Sequence, residues 1–282
     1  MQVLRYAAFP DLDDPSGPTS GGNPAGVVLD AHGLTPQDMQ RVAGQVGYSE
    51  TAFLMPTGPA SARVRYFAPE CEVAFCGHAT IATAVALAGI RDIGRLDLAT
   101  PAGPVLVEVA SGSPTMATLV SPPATTRDLP APTTDALLSA LHWSADDLDP
   151  DWPTLIGSAG NDHPILVARS RARLSALDYG FGLLPLMRAE GWTTLTLLWS
   201  EPGTSTLWAR NPFPVGGVTE DPATGAAAAA VGGYLRDTGR ARTGDRWVIR
   251  QGHDMGRPSR IDLEVGTSRM RVSGTATPIR WP

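Results

Sequence analysis

The sequence predicts an α+β protein of two similar lobes, each built of strands and one buried helix. Three observations predict it. First, two helical stretches have no charged face. One is Gly77 to Ile90, with Ala79, Ile81, Ala82, Ala84, Val85, Ala86, Leu87 and Ala88. The other is Thr224 to Leu235, which includes the alanine run Ala226 to Ala230. A helix without a polar side is buried all round. Second, short β-type runs flank both helices. Third, the landmarks recur in the same order. Phe67-Ala68-Pro69 precedes the first helix and Phe213-Pro214 the second. Phe213 minus Phe67 is 146, as is Thr224 minus His78, and the same register sets Ala84 over Ala230 and Val85 over Val231. Upstream, Gly47 to Leu54 resembles Gly191 to Leu198, and Gly22-Asn23 resembles Gly160-Asn161. Two repeats predict a pseudo-twofold pair with a cleft between them, where ligand sites commonly lie.

The elements follow in order. Val3 to Phe9 is a first strand, then a polar loop from Asp11 to Gly22, then a strand from Ala25 to Leu29. Thr35-Pro36-Gln37-Asp38 opens a helix with a capping hydroxyl, proline in the first turn and an early acid, and the helix ends near Gly47. Strands are expected at Ser49 to Leu54, Ala62 to Phe67, Arg95 to Ala99, Val105 to Val109 and Thr115 to Val120. Ser121 to Pro132 is proline-rich and reads as the inter-lobe linker. A helix from Thr134 to His142 follows. Further strands are expected at Thr154 to Ser158, Pro164 to Val167, Thr193 to Trp199 and Ser205 to Arg210, with a helix at Leu184 to Glu190. Strands at Trp247 to Gln251, Arg260 to Val265 and Met270 to Ser273 finish the chain. The lobes so defined are 1–122 and 133–267, with the last strand, about 268–282, free to return to the first lobe.

Composition excludes several function classes. A net charge of −6 offers no nucleic-acid surface. No apolar run is long enough to span a bilayer, and the N-terminus lacks a signal-peptide pattern, so a cytoplasmic protein is expected. All 22 basic residues are arginine. Without lysine there is no Schiff base for pyridoxal phosphate and no Walker-A loop. Cys71 and Cys76 are too few and too close for a disulfide framework or a zinc site, and no metal is expected. No dinucleotide fingerprint is present, so no cofactor is expected.

The candidate chemistry sits at the helix starts. Glu220-Asp221-Pro222-Ala223-Thr224-Gly225 leads into the second helix and Cys76-Gly77-His78 into the first. Free N–H groups at a helix start bind anions, so both starts suit a carboxylate-bearing small molecule. Glu50 lies within a strand, where lost solvation raises a carboxyl pKa and makes it a general acid or base near neutral pH. His78 at a helix start is expected neutral. Asp221 reads either as a capping acid or as a group that orients the histidine or holds a substrate amine. Thr224, Gly225 and Gly77 offer backbone donors. Cys76 becomes a nucleophile or proton carrier if the helix dipole lowers its pKa.

Five ordered motifs now bear a resemblance. They are Gly22 to Leu29, Tyr48 to Phe53, Gly77 to Thr80, Glu220 to Gly225, and Gln251-Gly252 with Met255 to Ser259. Together, along essentially the whole chain, they resemble the phenazine-biosynthesis (PhzF-like) isomerase family. The resemblance implies a diaminopimelate epimerase-like fold, each lobe a curled, barrel-like sheet around its helix. It also implies a homodimer, no cofactor, and isomerisation by moving a proton along a conjugated system. It puts the catalytic acid/base on Glu50, the cleft histidine and aspartate on His78 and Asp221, and the helix start on Thr224 and Gly225. Asn23, Ser49 and Gly77 complete the expected substrate-binding set. Where the family continues Thr-Gly-Ser-Ala, this chain has Ala226. Relatives of the racemase type use two facing cysteines; here Cys76 falls near the first position and Asp221 or Pro222 at the second. A racemase or epimerase using Cys76 with an oxygen acid, and a non-catalytic binding module, are the alternatives.

Overall fold

The N-terminal half begins with β1 (Leu4–Ala8), β2 (Asn23–Val28), α1 (Pro36–Val46), β3 (Glu50–Gly58), β4 (Ser61–Phe67) and β5 (Glu72–Val73). It continues through α2 (Gly77–Ala88), β6 (Arg95–Thr100), β7 (Gly103–Ala110) and β8 (Met116–Pro123). This is a computed structural model that describes residues 2–15, 21–180 and 182–279. Residues 16–20 of the expected polar loop and 280–282 of the expected last strand lie outside the described residues. The pairings run β1–β2 antiparallel, β2–β3 parallel, β3–β4 antiparallel, β4–β6 parallel, then β6–β7 and β7–β8 antiparallel.

The second half repeats this plan. After β9 (Thr125–Asp128), which ends the first half, its elements are α3 (Ala131–Ala140), β10 (Leu155–Ser158), β11 (Asp162–Val167), α4 (Arg171–Ser175), α5 (Leu183–Glu190), β12 (Thr196–Ser200) and β13 (Thr206–Pro212). After these come β14 (Glu220–Asp221), α6 (Gly225–Asp237), β15 (Arg246–Gln251), β16 (Ser259–Glu264), β17 (Arg269–Gly274) and β18 (Ala276–Pro278). β10–β11 is antiparallel, β11–β12 parallel, β12–β13 antiparallel, β13–β15 parallel, and β15–β16–β17 antiparallel. The senses repeat strand for strand, so each half curls a mixed sheet around its own helix.

Residue pattern accounts for the curl. In β4, β6, β7 and β8 every second side chain is buried: Ala62, Val64 and Tyr66; Leu96 and Leu98; Val105, Val107 and Val109; Ala117 and Leu119. Less buried residues alternate with them on the outer face, charged in β4 and β6 (Arg63, Arg65, Arg95, Asp97) and mixed in β7 and β8 (Leu106, Glu108, Thr118, Val120). The inner face closes on α2, whose residues from Gly77 to Leu87 are all buried. α6 is buried from Gly225 to Leu235 in the same way. Small residues let the strands come close, and the buried Tyr66 hydroxyl, 2.6 Å from Thr80 Oγ1, has the partner a buried phenol requires.

Two expectations are corrected. The proline-rich segment taken as a linker is structured. β8 runs to Pro123, and β9 follows at once and pairs with β10. Two of its prolines, Pro122 and Pro123, fall at the end of β8, and the other two, Pro130 and Pro132, at the start of α3, where backbone donors are least needed. β18 does the converse, leaving β17 to pair with β1. β17 itself pairs with β8 and joins the two sheets. The helix register also differs from the sequence alignment. The two N-caps are Cys76 and Thr224, and the two first residues are Gly77 and Gly225, a spacing of 148 (Thr224 minus Cys76) rather than 146. Alanine-rich helices align almost equally well with a two-residue slip, so side-chain type alone did not fix it. No helix among the described residues is long and apolar enough to cross a membrane.

Candidate active site

The two helix starts meet. A Cβ built on Gly77 would stand 3.0 Å from Gly225 Cα and 3.2 Å from Ala226 N, and one built on Gly225 3.3 Å from Gly77 Cα. Only glycine allows backbones this near, and the N-terminal ends of α2 and α6 therefore share one location. The other site residues are delivered to it by element ends. Gly47, in the left-handed conformation, ends α1 and turns the chain through Tyr48 and Ser49 into β3, of which Glu50 is the first residue. Gly22, at φ 82°, precedes Asn23, the first residue of β2. Asp221 closes the two-residue β14, paired with Asn211.

Asn23 is the hub. Its amide nitrogen donates to Asp221 Oδ1 at 2.5 Å and to the Ala223 carbonyl at 3.0 Å, and lies 3.0 Å from His78 Nδ1. Ser49 Oγ donates to Asn23 Oδ1 at 3.2 Å and lies 3.3 Å from His78 Nε2. Cys76 Sγ is 3.3 Å from His78 Nδ1, and Glu50 Oε2 is 3.3 Å from His78 Nε2. Two potential donors face Nδ1 and the Ser49 oxygen, which can accept, faces Nε2, so the network closes when the histidine proton is on Nε2, with the Glu50 oxygen beside it but outside hydrogen-bond geometry. The second Asp221 oxygen accepts from Thr224 Oγ1 at 2.6 Å. Gln251 locks the entry to α6. It accepts from the Thr224 N–H at 3.1 Å and donates to the Asp221 carbonyl at 2.6 Å.

Burial sets the charges. Glu50 is 6 % exposed, and its Oε2 has no hydrogen-bond partner among the described residues. Loss of solvent, then the Asp221 charge, push its carboxyl up to about 8. Asp221 is raised to about 6 by burial, against the pull of Thr224 and Asn23. Near neutral pH the pair thus holds one proton, mainly on Glu50. His78 is driven down to about 3 by burial and is a neutral imidazole. These three line a cavity of about 30 Å³, along with Cys76, Gly77, Asn161, His163, Thr194, Phe213, Thr224, Gly225 and Ala226. That volume holds about one water. An outer cleft of about 340 Å³ opens beside it, sharing Glu50, Phe75, Asn161, Thr193 and Phe213, and adding Met187, Arg188 and Trp192.

All eight residues expected from the sequence come together here, but three expectations change. Cys76 is not activated. Burial and the Glu50 charge raise its thiol well above the ordinary value, outweighing the helix start. Asp221 does not cap α6 through the backbone; Thr224 stands at the N-cap, and Asp221 accepts its hydroxyl instead. The counterpart of Cys76 across the repeat is Thr224 at the other N-cap, where the 146 register would set Pro222. Glu220, which opens the acidic motif, faces away and is held by Arg210, whose Nε donates to it at 2.9 Å. The sequence reading missed His163 and Gln251. The Gly160-Asn161 landmark, two residues before His163, was the available signal for the first. Gln251 lies in the Gln251-Gly252 motif, but its role depends on β15 running beside the entry to α6, which no local pattern shows. Glu50, Cys76 and His78 each offer one ligand atom within 4.8 Å of the others. A metal ion there would have to displace the protons that burial holds on Cys76 and Glu50.

A model of the phenazine biosynthesis-like protein family (PhzC-PhzF) matches residues 16–280. The chain is 34% identical over 248 residues to the trans-2,3-dihydro-3-hydroxyanthranilate isomerase of Pseudomonas chlororaphis, covering 84% of this chain and 83% of that protein. The structure superposes on a predicted epimerase of Pseudomonas aeruginosa with a TM-score of 0.84 at 26% identity, over 98% of this chain and 97% of that one. A hydroxyproline epimerase of Agrobacterium vitis with bound trans-4-hydroxy-L-proline shares the fold at a TM-score of 0.67 and 14% identity, over 99% and 91% of the two chains. The fold is of the diaminopimelate epimerase type.

Proposed function

Because this chain belongs to the phenazine biosynthesis-like family of isomerases, we propose that it moves a proton within a small carboxylate-bearing substrate, without a cofactor, by general acid/base catalysis at Glu50. The observation that carries this reading is the buried Glu50 Oε2, unpartnered by hydrogen bonds and beside a neutral imidazole. A carboxyl raised to about 8 is a stronger base when ionised than an ordinary glutamate, and its acid form persists at neutral pH to return the proton. His78, fixed by Asn23 and Ser49, orients that carboxyl. Asp221, ionised and held by Asn23 and Thr224, faces the substrate's cationic or hydroxyl group. The converging N-termini of α2 and α6 receive its carboxylate, their aligned amides opposing the negative charge. The bulk of a ring-sized substrate occupies the outer cleft, with its reacting edge against Glu50.

A test is proton exchange in deuterated water, followed by NMR. The probes are trans-2,3-dihydro-3-hydroxyanthranilate, the substrate in the relative's name, and a set of cyclic amino acids. Glu50→Gln should abolish exchange and leave binding in place. Undiminished exchange in that variant would remove Glu50 from the chemistry. The racemase alternative needs Cys76 as a base, and full activity in Cys76→Ala would dispose of it. A protein-cytoplasm location and a homodimer belong to the same proposal, the second checked by light scattering.

A further inference from the structure

β11 carries His163 into the wall of the inner cavity that Glu50 and His78 also line. The ring is 1 % exposed. Its Nδ1 lies 2.9 Å from Thr194 Oγ1. Behind Thr194 stands the Asn211 amide, whose nitrogen donates to Thr194 Oγ1 at 3.5 Å and to Thr196 Oγ1 at 3.3 Å. The Thr194 hydroxyl accepts from Asn211 and has its own proton free to offer Nδ1, the order taken here for the neutral ring. That order leaves Nδ1 bare and puts the ring proton on Nε2. Yet Nε2 is buried and has no hydrogen-bond partner among the described residues. An unmet buried donor is costly, and a bound partner would recover that cost.

We infer that His163 is a substrate-contacting residue, its Nε2–H donating to the oxygen conjugated with the carbon from which Glu50 removes a proton. The inference rests on the proposed proton-transfer reading and adds the group that stabilises the charge. When the Glu50 carboxylate takes the carbon-bound proton, the C–H electron pair moves into the conjugated system and negative charge gathers on that oxygen. The oxygen stays unprotonated and hydrogen-bonded to Nε2–H. Glu50 then returns the proton to another carbon, and no oxidant or reductant is needed. Burial drives His163 down to about 4, so it works as a neutral donor. A donor of this kind strengthens as charge develops, the condition for speeding the step rather than only binding the substrate. Ala226, in the same cavity wall, brings no hydroxyl to share the task.

The test uses two variants and two readouts on the full-length protein. His163→Asn keeps an amide near the Nδ1 level for Thr194 and deletes the Nε2 donor; His163→Gln restores a donor near the Nε2 position. With trans-2,3-dihydro-3-hydroxyanthranilate in deuterated water, the expected result is a kcat loss of about 100-fold for His163→Asn, a smaller change in KM, and substantial recovery in His163→Gln. Wild-type kcat in His163→Asn would overturn the inference, since a purely structural role is kept in that variant. Independently of turnover, 15N-histidine NMR of the wild type should show the His163 proton on Nε2, with its resonance moving on addition of anthranilate (2-aminobenzoate). A proton on Nδ1, or no movement with anthranilate, would also overturn it. Glu50→Gln separates the two readings: it should end exchange yet preserve the anthranilate-induced movement.

Discussion

Replacing Glu50 by glutamine should make the protein more stable, and only at higher pH. The substitution keeps the size of the side chain and deletes its charge. In the native protein burial and the Asp221 charge raise the Glu50 carboxyl from 4.5 to about 8. Between these values the unfolded chain is ionised at this position while the native protein still binds the proton. Stability contributed by the protonated group is therefore complete below about 4.5 and declines as pH rises to about 8. At about 1.4 kcal/mol for each pH unit, the decline is on the order of 4 kcal/mol. That is a large part of the roughly 5–15 kcal/mol by which proteins are stable. Glutamine carries no such penalty. Urea unfolding at about pH 4.5, 6.5 and 8.5, read by tryptophan fluorescence, should give a variant-minus-wild-type difference near zero, then intermediate, then several kcal/mol in favour of Glu50→Gln. A difference that does not change with pH, or a variant less stable at the highest pH, would refute burial as the source of the raised carboxyl.

Other outcomes follow from the same geometry. Gly77→Ala should cost about 1–2 kcal/mol, because its Cβ meets backbone at 3.0 Å, while Gly225→Ala, at 3.3 Å or more, should stay within about 0.5 kcal/mol; equal costs in urea unfolding would contradict the helix-to-helix contact. Arg210→Met strands the buried Glu220 and should cost about 3–5 kcal/mol, most of it recovered by adding Glu220→Leu; a double variant no better than the single would show that the pair is not what holds that turn. Iodoacetamide should alkylate the native protein once, at exposed Cys71, and reach Cys76 only in urea; mass spectrometry showing equal labelling would contradict the buried, protonated thiol.

The lobes and much of the site were legible because their signals are local. α2 and α6 lack any charged face, and a helix of that kind has only one place to go. Glu50 in an apolar strand and His78 at a helix start declare themselves by context. What could not be read was relative placement. The choice between 146 and 148 depends on which backbones touch, and Gly77 against Gly225 decides it only in three dimensions. The activation expected of Cys76 came from weighing the helix dipole without knowing how deeply the thiol would be buried. His163 looks ordinary until Thr194 and Asn211, distant in sequence, are seen to line up behind its ring.

The crossing of β9 and β18 has a consequence of a different kind. Each half ends in a strand that completes the sheet of the other half: β9 lies against β10, and β18 against β1. A chain of half this length, ending after its equivalent of β9, would leave its own sheet open and find closure only on a second copy. The architecture is that of two copies of one unit with exchanged tails. Fragments 1–129 and 130–282 should accordingly fold together and not apart. Joining the copies also removed the obligation to match. An imidazole on one helix start could be kept while the position 148 residues on (Ala226 minus His78) became alanine. A symmetric pair has two equal sides. Only a fused one can keep its base on one side and give the other to different work.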